Sequence, residues 1–339
     1  MCTMSVCFRS FVLLLSTVVC VINTTCMAAS VVFQQQAQQV VVGFLQTAEE
    51  TYPEELTFSH NIYELFTGLG AKVIRLDYNK VLDFELIRQS ALEEAHGDIS
   101  KIHDLEARMI KEGILSFLKE NEIDRVFIPG NYYNVDAEPY APTPNRQLVT
   151  AAIAEIVHEN PAIKLMGVCG GLQGVMHAMG IKVIRVYKLL GSHESAAVHA
   201  VSMPDPHHKD VVLHRLRIVP GSRLASIVSK HVEPDTNGWY SLFFPDAHGG
   251  VVSNDPENVK KLEDLGYKIV GFSDDGIIEA VEDVHGNILF QDHPEALAIN
   301  MLRGHVYPDA DITTSSQQDL RYKAALSAIS IIEDFLYRQ

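Results

Sequence analysis

Lys164-Leu165-Met166-Gly167-Val168-Cys169-Gly170-Gly171-Leu172-Gln173-Gly174 is an apolar run that stops abruptly at one cysteine set among glycines. It reads as a buried strand that turns sharply into a helix and presents the thiol at the edge of a sheet. Small residues are needed at such a nucleophile elbow, because the turn is strained and a substrate carbonyl must approach the backbone closely. Cys169 is therefore a candidate nucleophile. The other four cysteines, Cys2, Cys7, Cys20 and Cys26, all lie in a leader that carries Arg9, an apolar run from Phe11 to Ile22 and a small-residue end at Cys26-Met27-Ala28. These features describe a secretory signal over residues 1–28, so a secreted or periplasmic protein is expected. The competing reading is an uncleaved N-terminal anchor, although the run is shorter than the roughly 20 apolar residues of a comfortable span. Cleavage after Ala28 leaves a lone thiol, which cannot form an internal disulfide.

Outward from the elbow, strands alternate with helices, the pattern of a mostly parallel sheet covered on both faces. After a Gln-rich entry over residues 29–38, a single domain over 39–339 begins with a buried-strand run from Gln39 to Leu45. Phe58, Ile62, Leu65, Phe66 and Leu69 then recur at helical spacing ahead of Gly70, a C-cap. Lys72 to Tyr78 reads as a second strand. Phe84 to Leu118 is an amphipathic helical region broken near Gly97, and Asp124 to Ile128 is a third strand ending at Pro129-Gly130-Asn131. A helix near Arg146 to His158 precedes the elbow strand. This order places Gly130 and Cys169 at the carboxyl ends of two strands, where open α/β sheets put their ligands. Tyr187 to Asp210 reads as a long loop, Val211 to Val219 as a strand, Arg223 to Ser229 as a short helix, and His231 to Asn254 as surface loops. Strand-like runs follow at Lys268 to Phe272, Gly276 to Val281 and Asn287 to Gln291. In the closing helix, Gln318 to Tyr337, Leu320, Ala324, Ile329, Ile332 and Leu336 are expected to cover the sheet.

With 43 acidic and 27 basic residues the chain carries a formal charge of −16, which repels phosphate backbones and anionic headgroups. No nucleic-acid partner or integral membrane partner is implied. A thiol nucleophile needs a base within hydrogen-bond reach and a third group that fixes the base's tautomer. Gln291-Asp292-His293-Pro294-Glu295 supplies both just after a strand: Pro294 stiffens the turn, and Glu295 is near enough to face the His293 ring. Taken alone, the motif also fits ordinary turn residues, since 15 histidines are present.

The two motifs together resemble the class I glutamine amidotransferase superfamily, and within it the free-standing γ-glutamyl-γ-aminobutyrate hydrolase-like peptidases of family C26. Gly167-x-Cys169-x-Gly171-x-Gln173 and Gln291-x-His293-Pro294-Glu295 carry the likeness. It is supported by Ile128-Pro129-Gly130 with Asp136, Pro139 and Tyr140, by Val219-Pro220-Gly221-Ser222-Arg223-Leu224, and by Asp275-Gly276-Ile277-Ile278-Glu279-Ala280. The resemblance implies a flavodoxin-like α/β/α sandwich and a cysteine-dependent hydrolase of γ-glutamyl amides working through a thioester. Cys169 would be the nucleophile, His293 the base, Glu295 its orienting carboxylate, and the N–H groups of Gly130 and Gly170 the oxyanion hole. Neither metal nor organic cofactor is required, and the partner is a small γ-glutamyl substrate.

Three departures bear on specificity. Asn131 stands where those hydrolases commonly have a second glycine, and Gly170 where a basic residue often follows the cysteine. Of their Asn-Ser-x-His pocket motif only His248 matches, within Phe244-Pro245-Asp246-Ala247-His248. Gln173 and His248 are candidate substrate-binding residues, with a purely structural role the other reading. The alternatives on the same fold are a non-catalytic binder of a small ligand and an amidotransferase that passes ammonia to a partner. His193, His199, His207, His208 and His214 match no ligand spacing, so no metal site is expected from them. Gly68-x-Gly70 closes a helix ahead of a strand, the reverse of a nucleotide fingerprint.

Overall fold

Alternation along four central strands builds the molecule. The computed structural model describes residues 39–133, 135, 143–200, 213–304 and 315–339. The leader, most of the Gln-rich entry, Asp136, Pro139, Tyr140, His207 and His208 lie outside the described residues. The strands are β1 (Val41–Leu45), β2 (Lys72–Leu76), β3 (Arg125–Ile128), β4 (Lys164–Val168), β5 (Val183–Arg185), β6 (Leu213–Ile218), β7 (Tyr240–Pro245), β8 (Gly250–Val252), β9 (Lys268–Phe272), β10 (Ile278–Glu282) and β11 (Ile288–Phe290). Among the described residues nine strands form one sheet in the order β2-β1-β3-β4-β11-β10-β9-β6-β7. The first five are mutually parallel, and the last four extend the sheet antiparallel. An order of 2-1-3-4 followed by a fifth parallel strand is the flavodoxin-like arrangement. β5 and β8 pair separately.

Val42 and Phe44 of β1 join Phe127, Met166, Val168 and Phe290 in one apolar cluster. Their alternates Val41, Leu45, Val126, Ile128, Leu165 and Leu289 join a second one. Strands buried on both faces must be apolar at nearly every position, which is why these runs read as continuous. On the first face lie α1 (Pro53–Gly68), through Phe58, Ile62 and Phe66, and two helices near the C-terminus. On the second, α2 (Phe84–Glu94), α3 (Ile99–Glu120), α4 (Pro144–Glu159) and α5 (Gly170–Ala178) supply Phe84, Ile110, Ile114, Ile153, Leu172 and Met176. The C-terminal pair is α6 (Pro294–Leu302) and α7 (Ser315–Tyr337). The last carbonyls of α7 have no intrahelical donors. Buried Arg125 supplies donors, with its guanidinium bonding to the carbonyls of Phe335 (3.0 Å), Leu336 (3.1 Å) and Arg338 (2.6 Å). Among the described residues no helix is long and apolar enough to cross a membrane.

The expected break at Gly97 is present, with φ +87 between α2 and α3. Other expectations are corrected. The expected loop from Tyr187 contains helices at Val186–Leu190 and His193–Ala197 and a turn of 3₁₀ helix at Val198–Ala200. Gly191, at φ +72, ends the first, and the Ser192 hydroxyl accepts from Glu194 N and Ser195 N to begin the second. The expected loops from His231 to Asn254 contain β7 and β8. Leu242 and Phe244 of β7 are buried, and its partner β6 pairs with it from Leu213↔Pro245 to Ile218↔Tyr240. β7 closes the sheet at its edge, where a proline is tolerated. Leu320 of α7 is 44% exposed, and the apolar side is carried by Ala324, Ala328, Ile331, Ile332 and Phe335.

The elbow depends on glycines where α5 descends onto the strands. A Cβ on Gly171 would overlap the Ile128 carbonyl oxygen, and one on Gly167 would lie 3.0 Å from the Gly171 carbonyl carbon. Two substitutions separate this close approach from simple backbone preference. Gly171→Ala is expected to destabilise the protein by about 3 kcal/mol or more, because backbone must move. Gly221→Ala, at φ +74 with open space around it, is expected to cost only about 1–2 kcal/mol. Urea unfolding midpoints at constant slope measure both, and equal shifts would refute the packing argument.

Candidate active site

Parallel pairing brings three strand ends to one level. β3 pairs with β4 at Ile128↔Gly167, and β4 with β11 at Val168↔Phe290. Gly130, Cys169 and Gln291 therefore leave the same edge together. Cys169 is the residue before α5 and has φ 49 and ψ −109, a backbone state that L residues seldom occupy. The strain, of order 1–3 kcal/mol, is held by the neighbours. Cys169 N donates to Phe290 O at 2.7 Å, and its carbonyl accepts from Gln173 N at 3.0 Å. The side chain is 6% exposed, with Sγ 3.8 Å from the Ala247 carbonyl oxygen.

His293 follows β11 after Gln291 and Asp292 and caps the start of α6, where Pro294 occupies the first turn. Its backbone N–H donates to Pro245 O at 2.9 Å. Ring Nδ1 lies 2.7 Å from Glu295 Oε1, and both residues are fully buried. A carboxylate only accepts, so this contact places the proton on Nδ1 and leaves Nε2 as the basic nitrogen of the neutral ring. Phe58 meets the ring edge-on at 6.2 Å. Gly130 sits between the two motifs. A Cβ on it would lie 3.2 Å from His293 Cε1 and 3.6 Å from Cys169 Cβ, so thiol-bearing and imidazole side chains flank a single point.

Gly170 opens α5, and the N–H groups of a helix's first turn have no intrahelical acceptor. A Cβ on Gly170 would lie 2.7 Å from Asn131 N and 2.8 Å from Asn131 Cβ. The two departures at 131 and 170 thus meet in space, with a side chain on one side of the contact and none on the other. Beyond the turn Tyr132 stacks on Tyr52 at 4.5 Å, joining this segment to the start of α1. Arg146, buried in the first turn of α4, donates from its guanidinium to Pro129 O at 2.7 Å. Burial pulls its pKa down, against the opposing carboxylates of Glu50 and Glu55. Glu50 accepts from Arg146 N (2.7 Å) and the Tyr78 hydroxyl (2.9 Å), which fixes the start of α4.

Gln173 is turned inward. Its amide nitrogen donates to Gly250 O at 2.9 Å and to Gln291 Oε1 at 3.2 Å, tying α5 to β8 and to the end of β11. His248 is buried beside Asp246, with Nε2 2.7 Å from Asp246 Oδ1 and Nδ1 2.9 Å from Gly250 O. His199 adds Nδ1 at 2.5 Å from Asp246 Oδ2, and His214 Nδ1 lies 3.4 Å from the same oxygen. Burial alone would raise the Asp246 carboxyl, but the His248 charge and the His199 hydrogen bond hold it well below the usual carboxylate range. Glu279 and Asp292 are displaced the other way, above that range, by burial and then by the charge of Asp246. Of the expected histidine group, His199 and His214 reach this cluster, while His193 stacks on Tyr187.

No protein-family model matches the sequence, and no curated protein matches it. Among solved structures, the glutaminase domain of Trypanosoma brucei CTPS with bound acivicin is similar at a TM-score of 0.47 and 16% identity, over 89% of this chain and 95% of that one. A glutamine amido transferase from Methylobacillus flagellatus is similar at 0.41 and 16% identity, over 89% and 96%.

Arg146, His199, Asp246 and Glu279 escaped the sequence reading as site residues. A lone charge opening an apolar helix hinted at Arg146, and Glu279 stood within the Asp275 to Ala280 motif. Nothing local tied either to Cys169. The contact between residues 131 and 170 gives a direct test. In a double-mutant cycle on unfolding free energy, Gly170→Ala is expected to be less damaging when Asn131→Gly is present, by about 1 kcal/mol. Strict additivity would show that the Asn131 side chain adds nothing to the closeness set by its backbone.

Proposed function

We propose that this chain is a cysteine-dependent hydrolase of γ-glutamyl amide bonds, of the class I glutamine amidotransferase-like type. The observation that carries the reading is the convergence at Gly130 of Cys169 and His293, with the Glu295 carboxylate 2.7 Å behind the ring. Attack by Sγ on the substrate carbonyl carbon transfers the thiol proton to His293 Nε2. Collapse of the tetrahedral intermediate breaks the C–N bond, and the same proton leaves on the amine. Water then attacks the thioester, His293 takes its proton and returns it to sulfur, and glutamate departs. Glu295 holds the ring in the tautomer that accepts at Nε2 and offsets the charge of the imidazolium. N–H groups of Gly130 and Gly170 receive the oxyanion, a contribution of about 3 kcal/mol per donor in comparable sites.

Arg146 supports the reading through Pro129 O, since that bond sets the turn from which Gly130 emerges. Gln173 is given a positioning role for α5 in place of substrate contact, because its amide donors are directed to Gly250 and Gln291. Export through the leader, and the γ-glutamyl side of the specificity, belong to this proposal as well.

The purified protein incubated with glutamine, γ-glutamyl-aminobutyrate or γ-glutamyl peptides is expected to release glutamate, and Cys169→Ala to release none. Glu295→Gln is expected to lower kcat by about a hundredfold or more with KM little changed. Mass spectrometry after treatment with 6-diazo-5-oxonorleucine should find the adduct on Cys169. Turnover surviving Cys169→Ala would end the mechanism, and stoichiometric binding without turnover would favour a ligand-binding protein.

A further inference from the structure

Behind the nucleophile, four buried side chains from three separated parts of the chain turn their donor atoms toward each other. His199 comes from the 3₁₀ turn, Asp246 and His248 from the segment after β7, and Glu279 from β10, and one donor atom of each lies within 4.8 Å of the others. All four are at least 97% buried. Glu279 has no hydrogen-bond partner at either carboxylate oxygen, although it is 3% exposed and faces this cluster. An unpaired buried carboxylate is costly unless a proton or a cation meets it.

The outer contacts of the two imidazoles aim their inner nitrogens at the same spot. His248 Nδ1 must donate to the Gly250 carbonyl, so Nε2 is the nitrogen that can give up its proton to a metal ion. That nitrogen faces Asp246 Oδ1 at 2.7 Å without hydrogen-bond alignment. His199 Nε2 lies 2.8 Å from Asp275 Oδ2, and Asp275 is itself held by the Ser273 hydroxyl at 2.5 Å. A ligand imidazole whose remote nitrogen is fixed by a carboxylate or a backbone carbonyl is the usual support of a protein metal site.

We propose that His199 Nδ1, Asp246, His248 Nε2 and Glu279 form a site for one divalent transition ion of the zinc class. Two imidazoles and two carboxylates suit zinc, whereas magnesium and calcium prefer oxygen donors alone. Bond lengths of about 2.0–2.2 Å put tetrahedral ligand atoms about 3.4 Å apart, so the widest pair draws in by roughly 1.4 Å while the two imidazole contacts to Asp246 open and the ion takes the place of the proton between His199 Nδ1 and Asp246. Glu279 can make that movement with no hydrogen bond to lose. Four protein ligands describe a closed, structural ion. Its role here would be to clamp the 245–250 segment to β10. That segment carries Pro245 O, which receives His293 N, and Ala247 O, which faces Cys169 Sγ. The ligand set is scattered along the chain, so no local histidine spacing announces it. The inference stands apart from the γ-glutamyl reading, because its readouts do not involve turnover.

The full chain carrying Cys2→Ser, Cys7→Ser, Cys20→Ser and Cys26→Ser is stripped with chelator and titrated with Zn²⁺. One equivalent is expected to bind with a Kd of about a micromolar or tighter and to raise the melting temperature. Glu279→Gln and His199→Ala are each expected to weaken binding about tenfold or more, and Cys169→Ala to leave it unchanged. Zinc-edge X-ray absorption on the metal-loaded protein, which needs no ligand variant, should find imidazole and oxygen scatterers and no sulfur. Binding insensitive to Glu279→Gln, loss of binding in Cys169→Ala, a sulfur scatterer, or no stoichiometric uptake would each overturn the proposal.

Discussion

The seating of α5 on the strand edge is the constraint on which the rest depends. Glycines at 167, 170 and 171 remove the side chains that would hold the helix away from Ile128, Asn131 and the preceding strand. Only then can the chain reverse at Cys169 with a positive φ and leave its side chain beside Gly130. The strain at one residue is maintained by contacts on every side, including the Cys169 N–H on Phe290 O and the Gln173 amide bridging to Gly250 and Gln291. A packed interior permits such a state because its atoms have nowhere else to go.

Parallel pairing does the second part of the work. Since β3, β4 and β11 run the same way and in register, the loops that follow them emerge side by side although far apart in sequence. The antiparallel extension then supplies a wall. β7 ends in the segment that holds His293 by its backbone and faces Cys169 with a carbonyl, while β10 brings Glu279 beneath it. Buried charge is therefore concentrated where the two halves of the sheet meet. Asp246 is met there by two histidines, Glu279 has no such partner, and on the side of β3 the buried Arg146 lies beside Glu50.

Much of this was legible because it rests on local patterns. Gly167 to Gly171 announced a turn needing close backbone approach. The two-residue spacing of His293 and Glu295 across a proline announced a ring with a carboxylate behind it. Phe58 to Phe66 carried the period of a helix buried on one side, and Gly97 marked a break. The pattern failed at β7 and β8, where Pro, Asp and Gly surround short runs, and at Val186–Ala200, where polar composition concealed capped helices. In both places pairing or capping by distant or flanking groups outweighed the intrinsic preference of the segment. Leu320 failed differently, because a helical period identifies a face without saying where the neighbouring layer stops.

Sequence by itself determined the elbow, the alternation of strands and helices, and the identity of thiol, imidazole and carboxylate, because each depends on side chains a few residues apart. Tertiary structure alone decided that Asn131 would press on Gly170, that Arg146 would hold Pro129, and that His199, Asp246, His248 and Glu279 would share one interior site. Those contacts join strand ends and turns whose separation along the chain carries no signal. Sheet order and register decide them, through the burial of two apolar faces at once.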